Sequence, residues 1–482
     1  MSRSIREDRR AFLRRVQAVI AGGATYALMP QLELVGRAFA AEPLPGNDYK
    51  ALVCIFLFGG SDSFNMLIPH EAAEHAAYLT SRGGVFEATT NPFGLGYARD
   101  ALVQVTDTGG KTWGLNPGCA AMKPLFDAGE LAFLANVGPL TVPLTKDDVV
   151  RRLKALPPYL YSHNDQQKLW MRGHTNRAGV TGWGGLLGDR VEASNLGLQS
   201  LPPSISISGS NLFQFGQTTL PFAMSSGGAA TINRFRNNGN NADRIRYESL
   251  RGIIEASHTP IMQDQYAVIG ESAINLNDTL RVALDPVNGG DIATVFPTGS
   301  NIASQLRMVA RMIKASRTSA INHRRQIYYV SLGGFDTHQN QMAANGHGQL
   351  LRQLSEGLAA FRAALAEIGA LNDTTAFTMS DFGRTLNSNG NGTDHGWGGV
   401  QLVMGGAAAN GGALRGQQVW GGYPLLELDG AQAVGRGRMV PTMSVNQMGA
   451  TLAQWFGLPA GEVSTIFPGI ENFGSSKVGF LG

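Results

Sequence analysis

The sequence predicts an α/β fold: three layers, with a largely parallel sheet flanked by helices and a polar insertion or cap. Three observations predict it. Residues 51–58, Ala-Leu-Val-Cys-Ile-Phe-Leu-Phe, are a continuous apolar run without alternation, the pattern of a strand buried on both faces. Further apolar runs alternate with helix-like segments along the chain, which implies parallel strands joined by helical crossovers. The 482 residues are 43% hydrophobic and 16% charged, a globular composition long enough for a sizeable core.

The elements follow in order. The strand at 51–58 ends in Gly59-Gly60. Asn116-Pro117 offers an N-cap and an N1 proline for a helix to about Ala128, where Gly129 ends it. Leu131–Val137 reads as a second strand. Further strands are expected at 204–208, 326–332, 374–380 and 399–404, and helices at 300–316, 342–368 and 444–456. Residues 209–299 are polar and rich in glycine and asparagine (Asn237-Asn238-Gly239-Asn240-Asn241), with a helical stretch after Asp243. They are expected to form an insertion or cap over the sheet's edge. The expected organisation is an address in residues 1–40 and a single domain in 41–482 with the insertion near 209–299.

Composition excludes several classes. Sixty-two glycines, about 13% against a usual ~7%, show no triplet period, so they mark turns and long loops and not collagen. Two cysteines cannot build a disulfide framework and lack the paired spacing of a thiolate zinc site. Cys54, inside the first strand, is expected to be a small core residue, and Cys119 to be inert. The net charge of +3 is concentrated at the start: the first forty residues carry seven arginines against three acids. The rest holds 32 basic and 33 acidic residues, and nothing in it reads as a nucleic-acid surface. Those first residues run from a basic stretch through a modest apolar one (about Val16 to Met29) to Ala38-Phe39-Ala40-Ala41, the plan of a cleaved secretory signal. The apolar part is too short for a membrane span, so no integral membrane protein is expected. Asp8-Arg9-Arg10-Ala11-Phe12-Leu13-Arg14 resembles the twin-arginine signal. That implies folding in the cytoplasm, export by the twin-arginine translocase, and a periplasmic or secreted product.

In α/β sheets ligands bind just past the carboxyl ends of the strands. Four such places carry acids or imidazoles: Gly59-Gly60-Ser61-Asp62-Ser63-Phe64-Asn65; Gly333-Gly334-Phe335-Asp336-Thr337-His338; Ser380-Asp381-Phe382-Gly383-Arg384-Thr385; and Asp394-His395-Gly396-Trp397, which precedes the last strand. A fifth segment, Tyr161-Ser162-His163-Asn164-Asp165-Gln166-Gln167, is dense in polar groups and reads equally as a helix start capped by Ser162.

With the amino-terminal signal, these motifs resemble a bacterial family of unknown function, exported by the twin-arginine route and placed in the alkaline phosphatase-like superfamily of phosphatases, sulfatases and phosphoglycerate mutases. Val440-Pro441-Thr442 and Leu452-Ala453-Gln454-Trp455-Phe456-Gly457 add to the resemblance, which spans nearly the whole mature chain. It implies metal-binding acids at Asp62, Asp336 and Asp381, metal-binding histidines at His338 and His395, and a nucleophile nearest Ser162. One departure stands out: the superfamily has Asp-His where this chain has Asp381-Phe382. The loss of that imidazole leaves mainly oxygen ligands, which favour calcium, magnesium or manganese over zinc. The sulfatase signature C-x-P-x-R is absent.

The leading expectation is a metal-dependent hydrolase of a phosphate or sulfate ester, either a small molecule or a cell-envelope substrate. A divalent cation would polarise the ester, Ser162 would attack, and Arg384 would bind the oxyanion. The alternative is a non-catalytic exported protein that uses a degenerate site for binding or assembly. A serine esterase built on Ser63 is a third reading, against which stand the missing G-x-S-x-G elbow and the absence of a D-x-x-H near the carboxyl terminus.

Overall fold

The computed structural model describes residues 48–174, 179–195, 197–198, 200–229, 240–255 and 261–482. The expected address at 1–40 lies outside them, as do residues 237–239 of the Asn/Gly run. The strands are β1 (Lys50–Leu57), β2 (Leu67–Pro69), β3 (Val103–Thr106), β4 (Thr112–Leu115), β5 (Leu131–Gly138), β6 (Ser204–Ser206), β7 (Phe222–Ala223), β8 (Arg325–Leu332), β9 (Thr374–Ser380), β10 (Gly399–Gly405), β11 (Gln418–Trp420), β12 (Ala433–Val434), β13 (Arg438–Met439) and β14 (Met443–Ser444). The α-helices are α1 (Ala72–Ser81), α2 (Lys123–Asp127), α3 (Lys146–Val150), α4 (His163–Arg172), α5 (Trp183–Val191), α6 (Asn241–Glu255), α7 (Ile261–Ala283), α8 (Asn301–Ser316), α9 (His347–Glu367), α10 (Val445–Phe456) and α11 (Val463–Ile466).

The expected three-layer α/β architecture is present. The main sheet has nine strands in the order β11-β5-β10-β9-β1-β8-β6-β7, with β14 beside β5. β1 is central and parallel to both neighbours: Cys54 pairs with Tyr329 of β8 and Phe377 of β9. Its apolar run is explained by the two cores it serves. Ala51, Val53, Ile55 and Leu57 join the cluster containing Ile302, Leu306, Leu351 and Leu354 of α8 and α9. Leu52, Cys54 and Phe56 join the opposite cluster, with Trp170, Trp183, Leu452 and Phe456. β10 runs antiparallel to β9 and β5, so the sheet is mixed, though mostly parallel.

Local signals set several boundaries. Ser300 caps α8 by accepting from the Ala303 N–H, and Ser444 with Gln447 forms a capping box on α10. Other boundaries depart from expectation. The helix expected from 117 to 128 is a 3-10 turn, Pro117–Met122, followed by the short α2, because Pro124 has no N–H for a continuous ladder. The helix expected from 342 begins at His347, since residues 341–346 are spent on turns around Asn340, whose φ is +55°. Part of the expected cap is sheet: β7 extends the edge beside β6, and α6 and α7 supply the helices. A small antiparallel sheet, β2-β4-β3, was not foreseen. Among the described residues no helix is long and apolar enough to cross a membrane.

This topology gathers the candidate residues. The parallel β1, β8 and β9 end on one edge. Antiparallel β10 begins there, and β5, antiparallel to β10, ends there before the chain leads to α4.

Candidate metal centre

Close backbone contact builds the floor of the site. Gly59 (φ +114°) and Gly60 (φ +81°) turn the chain out of β1, in the left-handed region that favours glycine. A Cβ on Gly59 would stand 2.2 Å from the Asp336 nitrogen, and one on Gly60 would stand 2.4 Å from the Phe382 ring. The segments after β9 and before β10 zip together, with Gly383 N–H donating to Trp397 O (2.8 Å) and Thr385 N–H to Asp394 O (3.0 Å). Asp381 and Arg384 are thereby held against Asp394 and His395.

Three imidazoles meet at Asp336. His163 Nε2 lies 3.5 Å from Asp336 Oδ2, while His338 Nε2 and His395 Nε2 lie 3.2 and 3.5 Å from Oδ1. The opposite nitrogen of each ring has an acceptor. His163 Nδ1 is 2.6 Å from Asp381 Oδ2, His338 Nδ1 is 3.1 Å from Asp394 Oδ1, and His395 Nδ1 is 2.7 Å from the Tyr161 carbonyl oxygen. Carboxylates and carbonyls only accept, so each Nδ1 donates, and in the neutral ring each Nε2 then presents a lone pair. His338 Nε2 and His395 Nε2 are 2.8 Å apart. Two facing lone pairs at that distance repel unless a proton or a cation lies against them.

The remaining contacts tune the cluster. Burial would raise the Asp336 carboxyl, but the hydrogen bond and charge of Arg384, with His163 and His338, hold it below the usual carboxylate value. Arg384 Nη1 donates to Asp336 Oδ1 at 2.8 Å. Burial pushes Asp381 up, against hydrogen bonds from Gln167 and His163. Burial also lowers His395, favouring the neutral ring. The Asp336 side chain is 46% exposed, so the cluster opens to solvent.

The predicted residues take different places. Asp336, His338 and His395 contribute ligand-type atoms to the cluster, and Asp381 orients His163. Asp62 stands outside: Arg82 Nη2 donates to its Oδ1 at 2.7 Å and Gln341 Nε2 to its Oδ2 at 2.6 Å. The Arg384 side chain is fully buried and donates to Thr393, Gly59 and Asp336. Ser162 is the N-cap of α4 and its hydroxyl donates to Asp165 Oδ2 at 2.9 Å. Sequence reasoning missed His163, although the segment that carries it had been marked. Phe382 could have signalled it: where an imidazole was expected stands a buried phenyl ring, packed 4.8 Å from the His163 centroid and 4.6 Å from that of His395.

The donor set fits a divalent cation. His163, Asp336 and His395 offer ligand atoms that all lie within 4.8 Å of one another, two imidazoles and one carboxylate, a donor set of the kind that holds zinc. One buried oxygen, Asp381 Oδ1, has no partner among the described residues.

Solved structures similar to this chain include the C-terminal periplasmic domain of EcEptC from Escherichia coli in complex with Zn, at 8% identity and a TM-score of 0.36, covering 87% of each chain. Ps i-CgsB in complex with k-i-k-neocarrahexaose follows at 9% identity and 0.35, covering 88% of this chain and 77% of that one. The lipoteichoic acid synthase LtaP from Listeria monocytogenes has 7% identity and 0.34, covering 91% and 81%. No curated protein matches the sequence. A family model spans residues 49–458, from the strand before Asp62 to the end of the last long helix, and the chain therefore belongs to the family described as "Protein of unknown function (DUF1501)".

Proposed function

We propose that this protein is an exported, metal-dependent hydrolase of phosphate or sulfate esters on an alkaline phosphatase-like fold. One observation carries the reading: three imidazole Nε2 atoms converge on Asp336 while each Nδ1 is tied to a carboxylate or carbonyl. Ligating histidines are typically held in this way by outer hydrogen bonds that fix ring orientation and tautomer. His163, His395 and Asp336 would hold the ion, with His338 packed against them. Two imidazole nitrogens and one carboxylate oxygen favour zinc or a similar borderline cation over calcium or magnesium, which reverses the expectation drawn from counting oxygens. The cation supplies Lewis acidity at an ester oxygen.

The chain's own groups do the rest. Asp381, Asp394 and the Tyr161 carbonyl hold the imidazoles, and Arg384 keeps Asp336 ionised. Ser162 lies between Tyr161 and His163 and is the proposed nucleophile, its proton already directed at Asp165. One observation favours a second reading, a non-catalytic binding or assembly protein: the guanidinium of Arg384 is buried and engaged, which removes the expected oxyanion donor.

The test is elemental analysis of protein folded in its native cytoplasm, with hydrolysis of p-nitrophenyl phosphate and p-nitrophenyl sulfate. Wild type is expected to hold metal and turn over one ester. His163→Ala and Asp336→Ala should each lose the metal and roughly a thousandfold in rate, while Ser63→Ala stays active. Well-folded, metal-free, inactive wild type would establish the binding reading instead.

A further inference from the structure

Asp62 follows β1 on the same sheet edge as Asp336 and Asp381, where a ligand acid is expected, yet its charge already has a partner. Arg82 and Asp62 are both 0% exposed and 2.7 Å apart. Arg82 Nη1 also donates to Thr385 O and Leu386 O, at 3.2 Å each, and its guanidinium lies 5.8 Å from the Tyr78 ring centroid. The other Asp62 oxygen receives Gln341 Nε2. Gln341 Oε1 accepts from Thr393 Oγ1 at 2.6 Å, Thr393 Oγ1 accepts from Arg384 Nε at 3.2 Å, and Arg384 Nη1 reaches Asp336. A continuous hydrogen-bonded path thus runs from Arg82 through Asp62, Gln341, Thr393 and Arg384 to Asp336. Every member before Asp336 is fully buried.

We infer that Arg82 is a built-in cation that takes the charge of Asp62, so that this side of the site holds no second metal ion. The protein binds a single divalent ion, at His163, Asp336 and His395, and Asp62 is a positioning residue for Asp336. The inference rests on the metal reading above. Its physical basis is twofold. A guanidinium is permanently charged and, unlike a metal, cannot be lost to dilution or a chelator. Once it neutralises Asp62 in a dry interior, a second divalent ion beside it would meet like-charge repulsion that Asp62 no longer offsets. The relay through Gln341 then holds the Asp336 side chain, although that side chain is half exposed.

The experiment is zinc titration of metal-stripped full-length protein by calorimetry, with elemental analysis after desalting. Wild type is expected to take one zinc per chain. Two per chain overturns this inference alone, whereas none overturns the metal reading and this inference with it. The paired variant Asp62→Leu/Arg82→Met removes both charges and leaves neither stranded. It should fold, by thermal melting, and keep one zinc; a folded pair variant with no zinc would make Asp62 a ligand. Gln341→Leu cuts the relay without touching the ion pair and decides the matter if the pair variant fails to fold. It should weaken zinc binding about tenfold in chelator competition while the helical circular dichroism stays that of wild type. Unchanged affinity would end the positioning role.

Discussion

His347 begins α9 with both ring nitrogens unpartnered, although the residue is only 1% exposed. Its ring stands edge-on to Phe335 at 5.8 Å, so apolar packing replaces the water it would otherwise bind. Burial pulls its pKa down to about 4, with Asp62 acting to raise it and Arg82 and Arg384 to lower it. An unfolded chain binds a proton at this ring below about pH 6.5, and the folded chain does so only near 4. Stability is therefore retained above 6.5 and falls as the pH drops through that window, by about 3 kcal/mol. Urea unfolding at pH 7 and pH 4.5 should show wild type losing more stability than His347→Phe. An equal loss in both would place the titration elsewhere. The same scale explains what was legible in the metal centre. Asp336, His338 and His395 follow or precede strands whose apolar runs locate their ends. His163 sits on a helix that touches the site only because β5 and its following loop return to that edge, and no local pattern reports such a long-range return.

At the scale of elements, the site depends on how closely two turns approach. The loop after β1 crosses the loop after β8 with no room for a side chain at Gly59. Gly59→Ala would bring a Cβ into the backbone nitrogen of Asp336 and also strain a φ of +114°. The expected result is at least a tenfold loss of zinc affinity by chelator competition with the helical circular dichroism unchanged, because only the loop must shift. Unaltered affinity would show that the loop after β8 can move without carrying Asp336 away. The long strands were readable because burial on both faces writes an unbroken apolar run. β2 and β3 span three and four residues, one ending in Pro69 and the other alternating only briefly, and such short pieces acquire strand identity only from their partner β4.

For the whole molecule, the proposal of twin-arginine export predicts where the chain is found. Replacing Arg9 and Arg10 together by lysine should leave full-length precursor in the cytoplasm, read by immunoblot of cell fractions. Export that continues unchanged in a strain lacking that translocase would refute the route. The order of strands in the main sheet bears on how such a protein must be made. β1 is synthesised first among the nine but pairs only with β8 and β9, so Ala51 waits for Thr374 and Leu57 for Ser380. At about 5–20 residues per second, the roughly 320 residues between them take on the order of 15–65 s to synthesise. For about the first 270 of those residues, until β8 is made, this apolar strand is a bare edge with neither partner in existence, a hazard for self-association that weighs on the growing chain and vanishes in the finished one.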